Sequence, residues 1–579
     1  MSTPALAATE ELQRRARHYL SQKFLVVDYY RIRRRLAYPL PIRELQIPEI
    51  PVPGIANYPW ATWMLWELEE RINALGWAAQ LLQNEEAKNA AAIDLWNLSQ
   101  WPRYRQYDSL DLSLGHAARI LGNAQRQWAW LESDLRIAIA AALQRIVEDA
   151  GPLLEKSLGA YSCAADILAL PQPHTALHNI GLIGATGVAM AANAINATKQ
   201  TTFNHTLQNA VAALLELRER GFSEGVSYDG YVLDFLLGWL QFLPTEQQNF
   251  LLDHPQFARY LDESMLQSTP GDVAQVAELG DVESAQMPFH ISAQAKAQKL
   301  RPDKTRAWYL GQCRSDALRA DALAVIHSLG SRLQTEAAAP PAQAANAHCA
   351  LVLRSGWEKQ DAAVVIAASN SPMSHIHSNS GTLSIGTNGS WLIGAPGYQQ
   401  YLPNSEREFT LGTTSRNTPV INGFSPVHKA MQISQLETSG TTQTAEIDLT
   451  QCYPEELSLR SVRRRVQLIE NQWVVVEDTI DGDNLSDLSY YWHGHPDAAW
   501  WIENNWARLH HGGSTLWLGS PQIEISQRDL QRLRGSRGQL TLTAQSPFSD
   551  AAPSFIRWLF LLGETAPQDN ALFRLYEPA

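Results

Sequence analysis

Over residues 60–333 the apolar positions recur at helical spacing. Trp63, Leu65, Trp66, Leu68, Ile72 and Leu75 follow the 3.6-residue period of an amphipathic helix. Further runs of this kind cover residues 117–131, 135–146, 181–195, 206–220 and 231–243, with polar loops between them, so consecutive helical hairpins are expected. A helical stretch over residues 9–23 comes first, followed by a basic patch at Arg31-Ile32-Arg33-Arg34-Arg35 and a Pro-rich arm over residues 39–53. That arm is expected to be extended, because proline forbids helix continuation. The patch reads as a solvated face or an anchor on a neighbouring helix. Residues 336–347 are Ala/Pro-rich without an apolar stripe and read as a linker.

Past the linker the period changes. Short alternating runs at 350–353, 362–367, 383–385, 462–469, 473–476, 540–543 and 555–562 are separated by turns such as Asp481-Gly482-Asp483-Asn484 and His511-Gly512-Gly513. They predict an all-β region, most simply a large antiparallel sandwich. The expected division is an N-terminal helix and arm (1–50), a helical domain (51–335), the linker (336–347) and a β domain (348–579). Arg463, Arg464 and Arg465 are expected on a solvated strand face.

Composition narrows the function classes. At 579 residues two large domains are expected, and 45% hydrophobic with 18% charged residues is an ordinary globular balance. A net charge of −13 argues against a nucleic-acid footprint, which needs a clustered basic surface. An anionic polymer is still admissible, because a cleft can be locally basic in an acidic protein. The four cysteines form no C-x-x-C, and no apolar run reaches the ~20 residues of a membrane span. No basic region followed by an apolar core opens the chain, so the sequence as it stands reads as cytoplasmic. No G-x-G-x-x-G or Walker sequence occurs.

Three stretches carry candidate chemistry. His375 and His377 flank Ile376 in a segment rich in Ser, Asn and Gly; on a strand they would project from one face. His178-Asn179 precedes a helix of small residues, 184–194, where a cap followed by close packing is the plain interpretation. The segment Gly221-Phe222-Ser223-Glu224-Gly225-Val226-Ser227-Tyr228 places a carboxylate and a phenol close together.

These stretches, with Gly381, Pro396-Gly397-Tyr398 and Asn417-Thr418, resemble the heparinase II/III-like family. Residues 108–116, 127–131 and 463–478 resemble its helical half and later strands. The resemblance implies an N-terminal incomplete α/α toroid followed by a C-terminal antiparallel β-sandwich. It further implies a polysaccharide lyase that cleaves a uronic-acid-containing polysaccharide by β-elimination, with an anionic polysaccharide as its partner. Tyr228 takes the family's catalytic tyrosine position. His375 is its partner base or carboxylate ligand, and Asn179 or His178 holds the carboxylate. Arg416, Glu224, His377, Asn417 and Tyr398 fall on the substrate side, Glu224 as an orienting group. A Tyr acting as base needs a cationic neighbour, since its reference pKa is ~10.

Three positions depart from the family pattern. Asn379 and Ala395 stand where it has Asp, and Arg416 stands where it has His. Of the zinc-ligand positions only His377 survives, and zinc wants about four ligands, so no metal and no cofactor is expected. Relatives of this kind are often periplasmic, which would apply here if a signal peptide had been removed. Two other readings remain at this level: an inactive carbohydrate-binding or assembly protein of the same fold, and a glycoside hydrolase, which needs a pair of carboxylates.

Overall fold

Side-chain caps mark where several helices start. Thr3, Asn84, Asp111 and Asp303 each accept a backbone N–H in the first turn that follows. In the computed structural model these and other breaks give α1 (Pro4–Ser21), α2 (Ala61–Leu82), α3 (Glu85–Ser99), α4 (Leu112–Gln127), α5 (Ser133–Lys156), α6 (Ala164–Leu168), α7 (Pro173–Ala176), α8 (Asn179–Ala194), α9 (Gln200–Glu219), α10 (Val226–Leu240), α11 (Thr245–Leu252), α12 (Pro255–Leu266), α13 (Phe289–Leu300), α14 (Lys304–Gln312) and α15 (Ala320–Leu329). The structure describes residues 3–50, 58–282, 288–330, 332–335, 337–368, 375, 380–397, 402–427, 429, 431–483, 485–536, 538–546 and 554–567.

The chain forms two units. The first comprises Met1–Arg220, Asp229–Leu261 and Pro288–Ala338; the second comprises Gly221–Tyr228, Asp262–Met287 and Ala339–Ala579. The division differs from a single cut at the linker, because two stretches inside the helical half belong to the second unit.

The first unit is the incomplete α/α toroid. Its helices approach closely where side chains are absent: a Cβ on Gly187 of α8 would lie 2.7 Å from the Gly115 Cα of α4, and one on Gly184 would lie 2.9 Å from the Asp111 nitrogen. The small residues of α8 therefore serve packing. The centre of this unit is charged. Arg119 grips Glu69 through two N–H groups (2.7 and 2.8 Å) and also pairs with Asp234. Lys296 pairs with both Asp234 and Asp321, and Arg319 lies 3.6 Å from Glu69. Three cations thus balance three carboxylates, which is what buried charges require. His116 bonds Glu69 at 2.6 Å and also Tyr231, and burial lowers its pKa to about 4.

At the N-terminus, β1 (Phe24–Tyr29) and β2 (Arg34–Pro39) form a hairpin through the basic patch. Only part of that patch is solvated. Arg31 is buried, donates to the Tyr58 hydroxyl at 2.6 Å and lies over the Trp63 ring, whereas Arg35 is exposed.

The second unit is the antiparallel sandwich. Its eight-stranded sheet runs in the order Gln432–Ser439, Thr442–Asp448, Leu459–Ile469, Trp473–Gly482, Ser554–Leu562, Ser514–Gly519, Trp506–His511, Ala499–Glu503. A four-stranded sheet joins Val420–Ile421, Leu488–His493, Thr541–Ser546 and Leu530–Gln531. A short hairpin, β3 (Ser268–Thr269) and β4 (Asp272–Val276), precedes a five-stranded sheet of β5 (Ala345–Asn346), β6 (Ala350–Arg354), β7 (Ala362–Ala367), β8 (Leu383–Thr387) and β9 (Ser390–Ile393).

Both faces of β6 and β7 are buried, and the two-residue period assigns each face its cover. Leu351, Leu353, Val364 and Ile366 enter the main sandwich core, whereas Ala350, Val352, Val365 and Ala367 pack with Ala277 and Leu279. Residues 262–282 are held to this sheet by that second layer.

One strand expectation is corrected. Arg464 is not on a solvated face, for it shares the inward side with Val462 and Val466 and is fully buried. It makes a two-pronged pair with Asp478 directly across the ladder (both 2.8 Å), and its remaining N–H donates to Gly381 O at 2.9 Å and Asn417 O at 3.0 Å. Charge alone suggested solvent, but the strand period points this arginine inward.

Candidate active site

The second unit brings together four groups that are far apart in the chain. Tyr228 lies in the first turn of α10 and is buried. His375 lies in the connection between β7 and β8, and its ring stacks on the Tyr228 ring with centroids 3.7 Å apart and planes 12° from parallel. His375 Nδ1 is 2.9 Å from Asp281 Oδ2, and the Asp281 N–H donates to the His375 carbonyl, also at 2.9 Å. Glu224 Oε2 lies 4.0 Å from His375 Nε2.

Each position has a local cause. Gly225, at φ +89°, takes a left-handed conformation just before α10 and hands the chain from Glu224 to Tyr228. Val226, Val276 and Val282 form a small apolar cluster, so the start of α10 and the stretch after β4 are pinned together. Gly280, at φ +98°, turns the chain one residue before Asp281. The apolar layer of Ala277 and Leu279 on β6 and β7 therefore ends where Asp281 meets the connection that follows β7.

The two-way bonding between Asp281 and His375 has a chemical consequence. An ionised carboxylate only accepts hydrogen bonds, so opposite such an Asp281 the imidazole Nδ1 carries the proton, and Nε2 is the nitrogen nearer Glu224. Burial of the carboxylates against one histidine and one phenol produces a constellation fit for acid–base work.

The expected site residues fall as follows. Tyr228, His375 and Glu224 are assembled in the second unit. His178 caps α8 in the first unit, its Nδ1 accepting from Ile180 N at 3.3 Å, and burial lowers its pKa to about 4. Asn179 is the first residue of α8 and is buried. His377 and Tyr398, like Asn379, lie outside the described residues. The strand expected at His375 is replaced by a turn. Its sequence neighbours explain this, since Asn370-Ser371-Pro372 and Ser378-Asn379-Ser380-Gly381 favour turns over ladder pairing. The partnership of Asp281 with His375 has no local signal in the sequence beyond Gly280.

Arg416 and Asn417 have defined structural bonds. The Asn417 amide closes both backbone groups of Leu383, donating to its carbonyl at 2.7 Å and accepting its N–H at 2.9 Å. Arg416 is 3% exposed, donates to Thr410 O at 2.9 Å and to Ser415 O at 3.3 Å, and has no carboxylate within ion-pair distance among the described residues. Burial lowers its pKa to about 10. Its charge also acts on His493, whose pKa falls to about 3 through burial first and Arg416 second. His493 bonds Thr541 Oγ1 at 2.9 Å.

An acid sensitivity follows from His493. Between its folded value near 3 and the ordinary 6.5, the unfolded chain takes up a proton that the folded chain refuses. Stability therefore falls as pH drops below 6.5, by up to about 1.4 kcal/mol per pH unit, and nothing is lost above it. In urea titrations at pH 7 and pH 5, His493→Gln is expected to show an acid loss smaller than the wild type's by about 2 kcal/mol. Equal losses would remove His493 from the account.

Comparison with known proteins agrees with this architecture. Residues 341–555 match the heparinase II/III-like C-terminal family. Nothing among curated protein sequences matches the chain. Among solved structures, the heparan sulfate lyase HepC from Pedobacter heparinus is similar with a TM-score of 0.58 at 14% identity, covering 96% of this chain and 84% of that one. A heparinase III structure is similar with a TM-score of 0.58 at 12% identity, covering 86% of this chain and 77% of that one. At such identity the likeness is one of fold. Among the described residues, no helix is long and apolar enough to cross a membrane.

Proposed function

We propose, on the premise that the domain at residues 341–555 is heparinase II/III-like and the fold is that of heparin and heparan sulfate lyases, that this protein is a polysaccharide lyase acting on a uronic-acid-containing polymer. The observation that carries the reading is the Tyr228 ring stacked on His375, with Asp281 clamping the imidazole.

The reaction is a β-elimination. The C5 proton next to the uronate carboxylate is removed, its electron pair becomes the C4=C5 double bond, the C4–O glycosidic bond breaks, and the departing oxygen takes a proton. Removing a proton beside a carboxylate builds charge that the site must neutralise. Tyr228 is the group that protonates the leaving oxygen, and it also serves as base when both proton transfers occur on one face of the sugar. His375 exchanges its proton through Nε2, or holds the uronate carboxylate. The stack keeps the phenol and the imidazole side by side, which suits a tyrosine that must give and regain a proton. Glu224 orients His375, and hydrogen-bond donors of the type offered by Asn179 and His178 are suited to the carboxylate.

At two of the zinc-ligand positions that the resemblance implies, Ala395 and Arg416 supply no ligand atom, so we expect turnover without zinc. Arg416 occupies one family ligand position, and a guanidinium offers no lone pair to a cation. Elemental analysis of unchelated protein is expected to find zinc well below one equivalent, with turnover unaffected by chelation. One equivalent of zinc whose removal stops turnover would reverse this assignment.

The function itself is tested by ultraviolet absorbance. A lyase leaves an unsaturated uronate whose conjugated double bond absorbs, whereas a hydrolase or a pure binder leaves none. Across a panel of heparan sulfate, other glycosaminoglycans and alginate, absorbance is expected to rise with at least one polymer. Binding of a polymer with no rise for any of them sinks the reading.

A further inference from the structure

The helical unit holds a cavity that the proposed chemistry does not use. It is lined by the C-terminal halves of α2, α4 and α13, by Gln241 just after α10, and by one side of α15 from Asp321 to Leu329, with a volume of about 280 Å³. At ~30 Å³ per water this is space for roughly nine waters, the scale of one sugar ring rather than an oligosaccharide.

The lining has the chemistry of a hydroxylated ligand. Asn73, Asn123, Gln127 and Gln241 all contribute, and each amide offers both donors and acceptors. Gln127 Nε2 donates to Asn123 Oδ1 at 3.1 Å, a bond that leaves further donor and acceptor capacity on both amides. Two indoles supply apolar surface. Trp77 is half-buried and meets the buried Trp128 edge to face, with centroids 6.1 Å apart, and Trp128 stacks on Trp130. A wall of indole and amides is what recognition of a sugar needs, with C–H faces on the aromatic and hydroxyls on the amides.

Charge then narrows the class. On the floor, the Lys296 charge is already met by Asp321 at 2.6 Å and by Asp234. At the rim stand Lys299 and Arg332, both exposed, and neither has a carboxylate within ion-pair distance among the described residues. The Lys299 ammonium has one hydrogen bond, to Gln241 Oε1 at 3.3 Å. Its pKa lies below the ordinary lysine range, first because the cavity wall partly desolvates it and then because of the Lys296 charge. A counter-anion at the rim offsets both effects.

We infer that this cavity is a second carbohydrate site that takes a single acidic sugar, with its ring among the amides and indoles and its carboxylate between Lys299 and Arg332. The site is built wholly within the helical unit and does not depend on the lyase reading.

Calorimetric titration of the full chain with sodium glucuronate tests it, with glucose as the uncharged control. Glucuronate is expected to bind, glucose to bind at least tenfold more weakly, and Lys299→Glu to weaken glucuronate at least tenfold with an unchanged melting temperature. Because Lys299 is exposed, that variant reports on charge rather than on folding. Trp77→Ala gives a second reading on the ring contact and is expected to weaken both sugars. The Tyr228→Phe variant separates this site from the other one and is expected to bind glucuronate as the wild type does. Failure of glucuronate to bind, equal binding of glucose, or a glucuronate signal lost in Tyr228→Phe but kept in Lys299→Glu would each overturn the inference.

Discussion

Tyr228→Phe is expected to lower turnover of the uronate polymer by about 10³-fold or more while leaving polymer affinity within a few-fold of wild type. The substitution removes one hydroxyl and keeps the ring that stacks on His375 at 3.7 Å, so the packing of the site is preserved. What disappears is the proton that must reach the departing oxygen, and positioned general acids or bases typically contribute about 10²–10⁴-fold. An interaction realised only in the transition state lowers kcat and kcat/KM together and leaves binding alone. Steady-state kinetics by absorbance, paired with calorimetric binding of the intact polymer, read both quantities. Asp281→Asn belongs to the same comparison with a smaller fall in kcat, because Asp281 acts through the imidazole it orients. If Tyr228→Phe keeps near-normal turnover, the stacked pair is structural and the proton donor lies elsewhere.

Arg464→Met is expected to cost the sandwich unit about 3–5 kcal/mol, the range for removing one partner of a buried ion pair. Asp478 would keep its charge with no cation opposite, in a position that is fully buried. Two carbonyls, of Gly381 and Asn417, would lose their donor at the same time. Those carbonyls belong to the stretch leading from His375 into β8 and to the loop that carries Arg416, so the arginine ties both loops to the eight-stranded sheet. A urea titration followed by tryptophan fluorescence gives the midpoint shift. The double variant Arg464→Met with Asp478→Leu should recover part of the loss, since it removes the unpaired charge as well. A single variant as stable as the wild type would show that the pair contributes little beyond what a packed methionine supplies.

Much of the architecture was legible because side-chain periodicity is a local property. The change from a 3.6-residue to a two-residue period across residues 336–347 announced helices followed by antiparallel strands, and apart from two short hairpins before it and a short helix at Ser405–Leu411 after it, the helices and sheets lie on those two sides. Helix starts are local for the same reason: the Asp111 and Asn84 side chains cap the helices that follow them. The small residues of α8 likewise announced a close helix approach before its partner, α4, was known.

Chemistry was less legible, because it depends on what covers each element. Tyr228 and His375 stood out individually, but nothing local joins His375 to Asp281, 94 residues earlier. That meeting depends on Ala277 and Leu279 covering the outer face of β6 and β7, a choice between apolar surfaces made only when the sheet packs. Arg464 shows the same limit from the other side. Three consecutive arginines look solvated by composition, and the middle one is interior because Asp478 waits across the ladder to neutralise it. By itself, then, the sequence determined which elements form, which face of each is apolar and which residues have reactive side chains. The tertiary structure alone decided which buried charges find partners, which histidine is clamped by a carboxylate and where a cavity remains, because burial and long-range pairing depend on packing between segments rather than on the period within any one of them.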